Sequence, residues 1–261
     1  MKIANNIIKE HLKNVYFLCG GAYGGKTTMA RLLEEKHGFI RYCQGDHYDE
    51  YVSVASEKEQ PAISLDRSAD WHGYFAQPPR QYADWMQAEL REEAEFTIAD
   101  LLSFPKDQKI IVDGIIPLDI LKEISDYEHV FLLFAPDEMK LQHYFDRADK
   151  DEVYQFILSF PDGKELLDNV IEALNLDNEQ ERRNMLESGF KFLERTDHDT
   201  VEGRIKKWIY SSIPTLYLWV GMLLLIKRFI LCDSSQISFG IAVQNKVGIF
   251  KRRIVDQIIK L

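Results

Sequence analysis

The stretch VYFLCGGAYGGKTTMARLLEEKHG, residues 15–38, decides the fold. Its first five residues are apolar without interruption, which predicts a strand buried on both faces at Val15–Cys19. Thr27 to His37 changes to a helix-forming pattern and stops at Gly38. Between the two, GGAYGGKT, residues 20–27, fits G-x-x-x-x-G-K-[ST] without a mismatch. Glycines there permit torsions that let successive N–H groups converge on one point, and the helix N-terminus adds partial positive charge to that point. A plain strand-to-helix turn with an exposed lysine is the competing reading. The strand before the glycines and the helix after them favour an anion cradle.

Read as a phosphate loop, the segment assigns its residues. Lys26 reaches the β- and γ-phosphates of ATP, and the Thr27 hydroxyl takes Mg²⁺. Gly20, Gly21, Ala22, Tyr23, Gly24, Gly25, Lys26, Thr27 and Thr28 form the nucleotide contact. Four further apolar runs read as strands: Phe39–Cys43, Lys109–Asp113, Val130–Phe134 and Phe190–Glu194. Helical patterns lie at Tyr82–Leu102, Leu118–Ser125 and Asp137–Asp146. Strands alternating with helices predict an α/β protein: a three-layer P-loop NTPase fold with a five-stranded parallel sheet flanked by helices.

Two connections are too long for simple crossovers. Residues 46–79 are polar and aromatic with prolines at 61, 78 and 79, and 150–188 are charged and helix-like with a turn at FPDG, residues 160–163. Segments of that size serve as binding loops or lids when they leave the carboxyl ends of strands. The expected organisation is a P-loop domain over 1–212, with an acceptor-binding insertion at about 46–85 and a lid at about 147–188.

The third strand ends KIIVDGIIP, where Asp113 stands in the place of a carboxylate that holds Mg²⁺ directly or through water. This stretch resembles the Asp-Gly-Phe-Pro-Arg signature of the adenylate-kinase family. One extra residue precedes Pro117, and Leu118 occupies the position of the family's monophosphate-binding arginine. CQGDHYDEY, residues 43–51, is similar to the segment with which P-loop nucleoside kinases place an acidic residue against the acceptor hydroxyl, here Asp46. HVFLLFAPDEMKLQHYFDRADK resembles their strand–helix–lid entry, with Arg147 at the lid's start. ERTDHDTVEGRIKKW resembles their final strand, adenine-contacting loop and closing helix, with Thr200 as its N-cap. The resemblance covers about residues 12–210.

It implies catalytic roles for Lys26, Asp46, Asp113 and Arg147, with Thr27 and Asp113 serving the metal. Asp46 also fits a turn or helix-capping aspartate. Arg182, Arg183 and Arg195 are further candidates for the charge that builds on a transferred phosphoryl group. The aromatic run DWHGYFAQPPRQYADW, residues 70–85, reads either as a pocket that stacks a ring or sugar or as packing on the core. The leading functional expectation is a Mg·ATP-dependent kinase acting on a small-molecule acceptor, a nucleoside or sugar among the options. A nucleotide-binding regulator and a monophosphate kinase with an altered acceptor site are the alternatives.

Bulk properties set the remaining bounds. Hydrophobic residues at 46% and charged residues at 28% fit a globular protein. A net charge of −10 argues against nucleic acid as partner. Three isolated cysteines predict free thiols in a reducing compartment, and residues 1–14 lack a leader's apolar run, so the expected location is cytoplasmic. Residues 213–261 break the pattern, with seven Lys and Arg against two acidic residues. WIYSSIPTLYLWVGMLLLI, residues 208–226, is uncharged and reads as a membrane anchor, a docked helix or an extension foreign to the fold.

Overall fold

The computed structural model describes residues 3–65, 70–136, 148–196 and 200–212. The chain divides into two compact units, Met1–Trp208 and Ile209–Leu261. All five strands lie in the first: β1 (Val15–Cys19), β2 (Ile40–Cys43), β3 (Ile110–Asp113), β4 (Val130–Phe134) and β5 (Lys191–Glu194). They form one all-parallel sheet in the order β2-β3-β1-β4-β5. The architecture is therefore α/β, a five-stranded parallel sheet flanked by helices.

The apolar runs form strands because, Tyr16 of β1 apart, every side chain of the inner ones is buried. β3 and β4 are buried along their whole length, while the edge strands β2 and β5 are mostly half-exposed. Alternate residues serve opposite faces. Val15, Phe17, Cys19, Ile110, Val112, Val130, Leu132 and Phe134 enter the main core with Ala94, Leu101, Leu121 and Ile124. The intervening Leu18, Ile111, Phe131 and Leu133 are equally buried. Helix α2 (Lys26–His37) contacts β1, β2 and β3 and buries Met29, Ala30 and Leu33.

The chain leaves β1 toward β2 at one edge and leaves β4 toward β5 at the other. The segment after β1 therefore starts at a topological switch, where open α/β sheets leave a crevice beyond their carboxyl ends. Helix α1 (Asn5–His11) precedes β1. Three short helices follow β2: α3 (Tyr48–Val54), α4 (Pro61–Ser64) and α5 (Trp71–Phe75). The long α6 (Pro79–Leu101) then leads to β3, and α7 (Leu118–Ile124) follows that strand. The hydroxyls of Tyr42 on β2 and Tyr51 on α3 lie against each other and within 2.6 and 2.9 Å of Asp100 Oδ2 of α6, so that two protons are shared among three oxygens. That network ties the first insertion to the sheet.

The second long connection is α8 (Ala148–Leu158) and α9 (Gly163–Glu187), broken at the FPDG turn. α9 packs along α6. Its Met185 reaches the main core, whereas Leu166, Val170 and Ala173 join Phe75, Tyr82, Ala83 and Ile157 in a second cluster. The aromatic run 70–85 is spent there. Tyr74 meets the Trp85 ring edge-on at 4.6 Å, and Trp71 and Phe75 pack against Phe156. Of the two readings of that run, packing is the one these contacts realise.

After β5 comes α10 (Val201–Ser212), whose first turn is capped by Thr200 Oγ1 accepting from the Gly203 amide at 3.0 Å. The sequence-read helix at 137–146, Arg147 and the extension 213–261 lie outside the described residues. Among the described residues no helix is long and apolar enough to cross a membrane.

Phe17 sits at the centre of the sheet at 1% exposure. Phe17→Ala is expected to cost about 3–5 kcal/mol in urea-induced unfolding. A loss below about 1 kcal/mol would mean that the fold does not depend on the packing at the centre of the sheet.

Candidate functional site

Residues 20–25 leave β1 in a conformation that their side chains allow and most others forbid. φ is +116° at Gly20, +61° at Tyr23 and +90° at Gly25. Space is as limiting as torsion. A Cβ on Gly20 would lie 2.1 Å from the Leu133 carbonyl oxygen of β4, and one on Gly24 would lie 2.7 Å from the same atom. A Cβ on Gly25 would fall 2.2 Å from the Arg204 guanidinium.

Cations surround the loop. Lys26 Nζ donates to the carbonyls of Gly20 and Gly21 at 2.6 and 2.9 Å. Arg195 Nη1 donates to Tyr23 O at 2.9 Å, and Arg204 Nη1 donates to Gly24 O at 2.6 Å. Thr27 and Thr28 are exposed on the first turn of α2, whose N-terminal amides have no side-chain cap. The arrangement offers converging N–H groups, a helix N-terminus and an ammonium at one place.

Two carboxylates stand on neighbouring strand ends. Asp113 pairs across with Leu18 of β1 and Cys43 of β2, so it lies beside the start of the loop. It is 4% exposed, and its Oδ2 has no hydrogen-bond partner among the described residues. Arg41 Nη1 approaches that oxygen only to 3.9 Å. Asp46 is exposed in the 3₁₀ turn Gln44–His47, and no side-chain cap bond forms at that turn or at α3. The capping reading of Asp46 finds no support there. Burial, then the carboxylates of Asp113 and Asp46, push the Cys43 thiol up, which places both acids around one residue.

For the implied Mg²⁺, the chemistry of the donors fits. A buried carboxylate oxygen lacking a hydrogen bond and an exposed threonine hydroxyl are both oxygen ligands of the hard type that Mg²⁺ takes alongside phosphate and water. Among the described residues no group of three or more His, Cys, Asp or Glu could hold a metal without such help.

The other arginines go elsewhere. Arg182 lies 5.8 Å over the Phe134 ring and 3.7 Å from Glu194, and Arg183 is exposed. Arg195 reaches the loop's backbone, and Arg147 is not among the described residues. Leu118 packs against the main core.

Three residues escape a reading of the sequence. Gln44 is buried and accepts from the Ile115 amide at 2.6 Å, fastening the end of β2 to the segment after Asp113. Arg204 sits in an ordinary polar helix, and only the fold turns it onto Gly24. Glu93 of α6 is 9% exposed, one turn from Glu89, which accepts from the Tyr48 hydroxyl. No pattern in the sequence marks any of them. A scan of protein-family models finds no match to this chain, and a search of curated proteins finds none.

Burial, reinforced by the Glu89 charge, pushes the Glu93 carboxyl up from 4.5 to about 7. A raised folded-state value means the protonated form is favoured by folding. The associated stability is fully present below about pH 4.5 and is lost as pH rises through about 7. Glu93→Gln should match the native protein near pH 4.5 and exceed it by roughly 3 kcal/mol near pH 8 in denaturant titrations. A difference that does not change with pH would show that Glu93 is satisfied as a carboxylate.

Proposed function

We propose that the chain is a P-loop phosphotransferase that moves the γ-phosphoryl group of Mg·ATP to a small-molecule acceptor. The observation that carries this reading is the loop at residues 20–27. It combines three positive-φ residues, a lysine folded over it and a free helix N-terminus at the end of β1. The strand order supports it, because β1 lies at the switch point where such sheets bind ligands.

In this reading the amides of the loop and of the first turn of α2 hold the donor phosphates, and Lys26 leaves the carbonyls of Gly20 and Gly21 to bind them. The Thr27 hydroxyl and Asp113 would hold Mg²⁺, which when bound would neutralise phosphate charge. Asp46, exposed at the end of β2, receives the proton of the acceptor hydroxyl. The packing of Leu118 into the core leaves no phosphate-binding side chain at that position, which favours a hydroxyl over a nucleoside monophosphate as acceptor.

Lys26→Ala is expected to weaken Mg·ATP binding about 10- to 100-fold by titration calorimetry, the worth of a charge-assisted contact. Asp46→Asn should leave that binding within about twofold and abolish ADP release in a screen of hydroxylated metabolites. Unchanged nucleotide affinity in Lys26→Ala would sink the assignment.

A further inference from the structure

We propose that Arg195 and Arg204 are positioning residues that set the anion-binding conformation of the loop from the far end of the chain. The inference rests on the reading of residues 20–27 as a phosphate cradle, and it assigns a role in that cradle to two residues outside it.

The argument is peptide geometry. A trans peptide points its C=O and the following N–H in opposite directions within one plane. Arg195 holds the Tyr23 carbonyl, so the Gly24 N–H points away from Arg195. Arg204 holds the Gly24 carbonyl, so the Gly25 N–H points away from Arg204. Two successive amides are thereby turned to the side of the loop that the guanidinium groups do not occupy. A cradle for phosphate needs successive amides to face one way in this manner.

The arginines are themselves fixed. The Arg195 amide donates to Phe134 O at 2.7 Å, extending the pairing of β5 with β4 past its last residue. Arg204 is 3% exposed, and its amide donates to Thr200 O at 3.0 Å in the first turn of α10. Gly25 has no room for a side chain beside that guanidinium. The pairing holds a glycine and an arginine at a separation of 179 residues in a shape that neither fixes alone. Both guanidinium groups also lie within 2.9 Å of the loop's backbone, where their charge favours an anion nearby.

Amide exchange measured by NMR on the full chain saturated with Mg²⁺ and inorganic tripolyphosphate, where the cradle amides are protected by the anion they bind, tests this without requiring activity. Arg195→Met should speed exchange at the Gly24 amide, and Arg204→Met at the Gly25 amide, each about tenfold or more, while β3 and β4 amides keep their rates. Affinity for inorganic tripolyphosphate with Mg²⁺ should fall about 10-fold or more in each. Arg204→Lys, still able to donate to Gly24 O, should recover most of the loss. Folded Met variants with native exchange at Gly24 and Gly25 would overturn the proposal. Should Arg204→Met not fold, the half-exposed Arg195→Met decides alone. If the native chain binds neither Mg·ATP nor tripolyphosphate, the phosphate reading fails and the proposal resting on it falls too, whereas native binding with unchanged exchange in the variants removes the positioning role only.

Discussion

The candidate site depends on how closely the backbone after β1 approaches the end of β4. β1 pairs with β4 from Phe17↔Val130 to Cys19↔Leu132, so the next residues of both strands must pass each other without side chains between them. Gly20 and Gly24 both lie against the Leu133 carbonyl, where any Cβ would overlap. The loop's shape is therefore imposed by the sheet beneath it rather than by local preference. Tyr23 shows the cost: among the described residues it is the one non-glycine with positive φ. Such a conformation costs on the order of 1 kcal/mol, and the bond from Arg195 to its carbonyl opposes relaxation.

A second constraint is length. α6 has 23 residues and runs roughly 35 Å, while a five-residue strand spans only about 17 Å. A helix that long cannot be covered by the sheet alone. Its Leu101 end lies in the main core, and its Tyr82 end overhangs and needs another partner. α9, with 25 residues, supplies it, and the rings of residues 71–85 fill the space between. The aromatic density of this insertion follows from the overhang, since few other side chains bury as much area per residue. His72 bonding Asp162 and Gln87 bonding Asp177 then close the seam on its exposed side.

The elements legible in the sequence are those governed by local pattern. β1 and β4 match their apolar runs residue for residue, because a strand buried on both faces has no polar positions to blur its ends. β2, β3 and β5 each begin one residue later than their runs, where the chain enters the sheet from a turn. The FPDG turn and the Thr200 cap were equally readable, since both are set by a few adjacent residues. Of the site, the glycines and Lys26 were legible for the same reason. Gln44, Glu93 and Arg204 were not. Their meaning lies in partners 71 residues away for Gln44 and 180 for Arg204, and nothing local separates a buried arginine from a surface one. The aromatic run is ambiguous for the opposite reason, because a ring-lined pocket and a ring-filled core have the same composition.

Charge places the last limit on how an anion would be held. The chain carries a net charge of −10, so its long-range field does not draw in a nucleotide. Attraction has to come from groups within a few ångströms: Lys26, Arg195 and Arg204, all bonded to carbonyls of the loop, and the first turn of α2. At that range, orientation matters as much as charge. An ammonium or guanidinium can approach any oxygen, but amides converge on a phosphate only when their carbonyls are held back. In an acidic protein, selectivity of such a loop for phosphate over other anions would then have to rest on the backbone. The torsions at Gly20 and Gly25 and the two arginine–carbonyl bonds fix that backbone, and they do so from opposite ends of the chain.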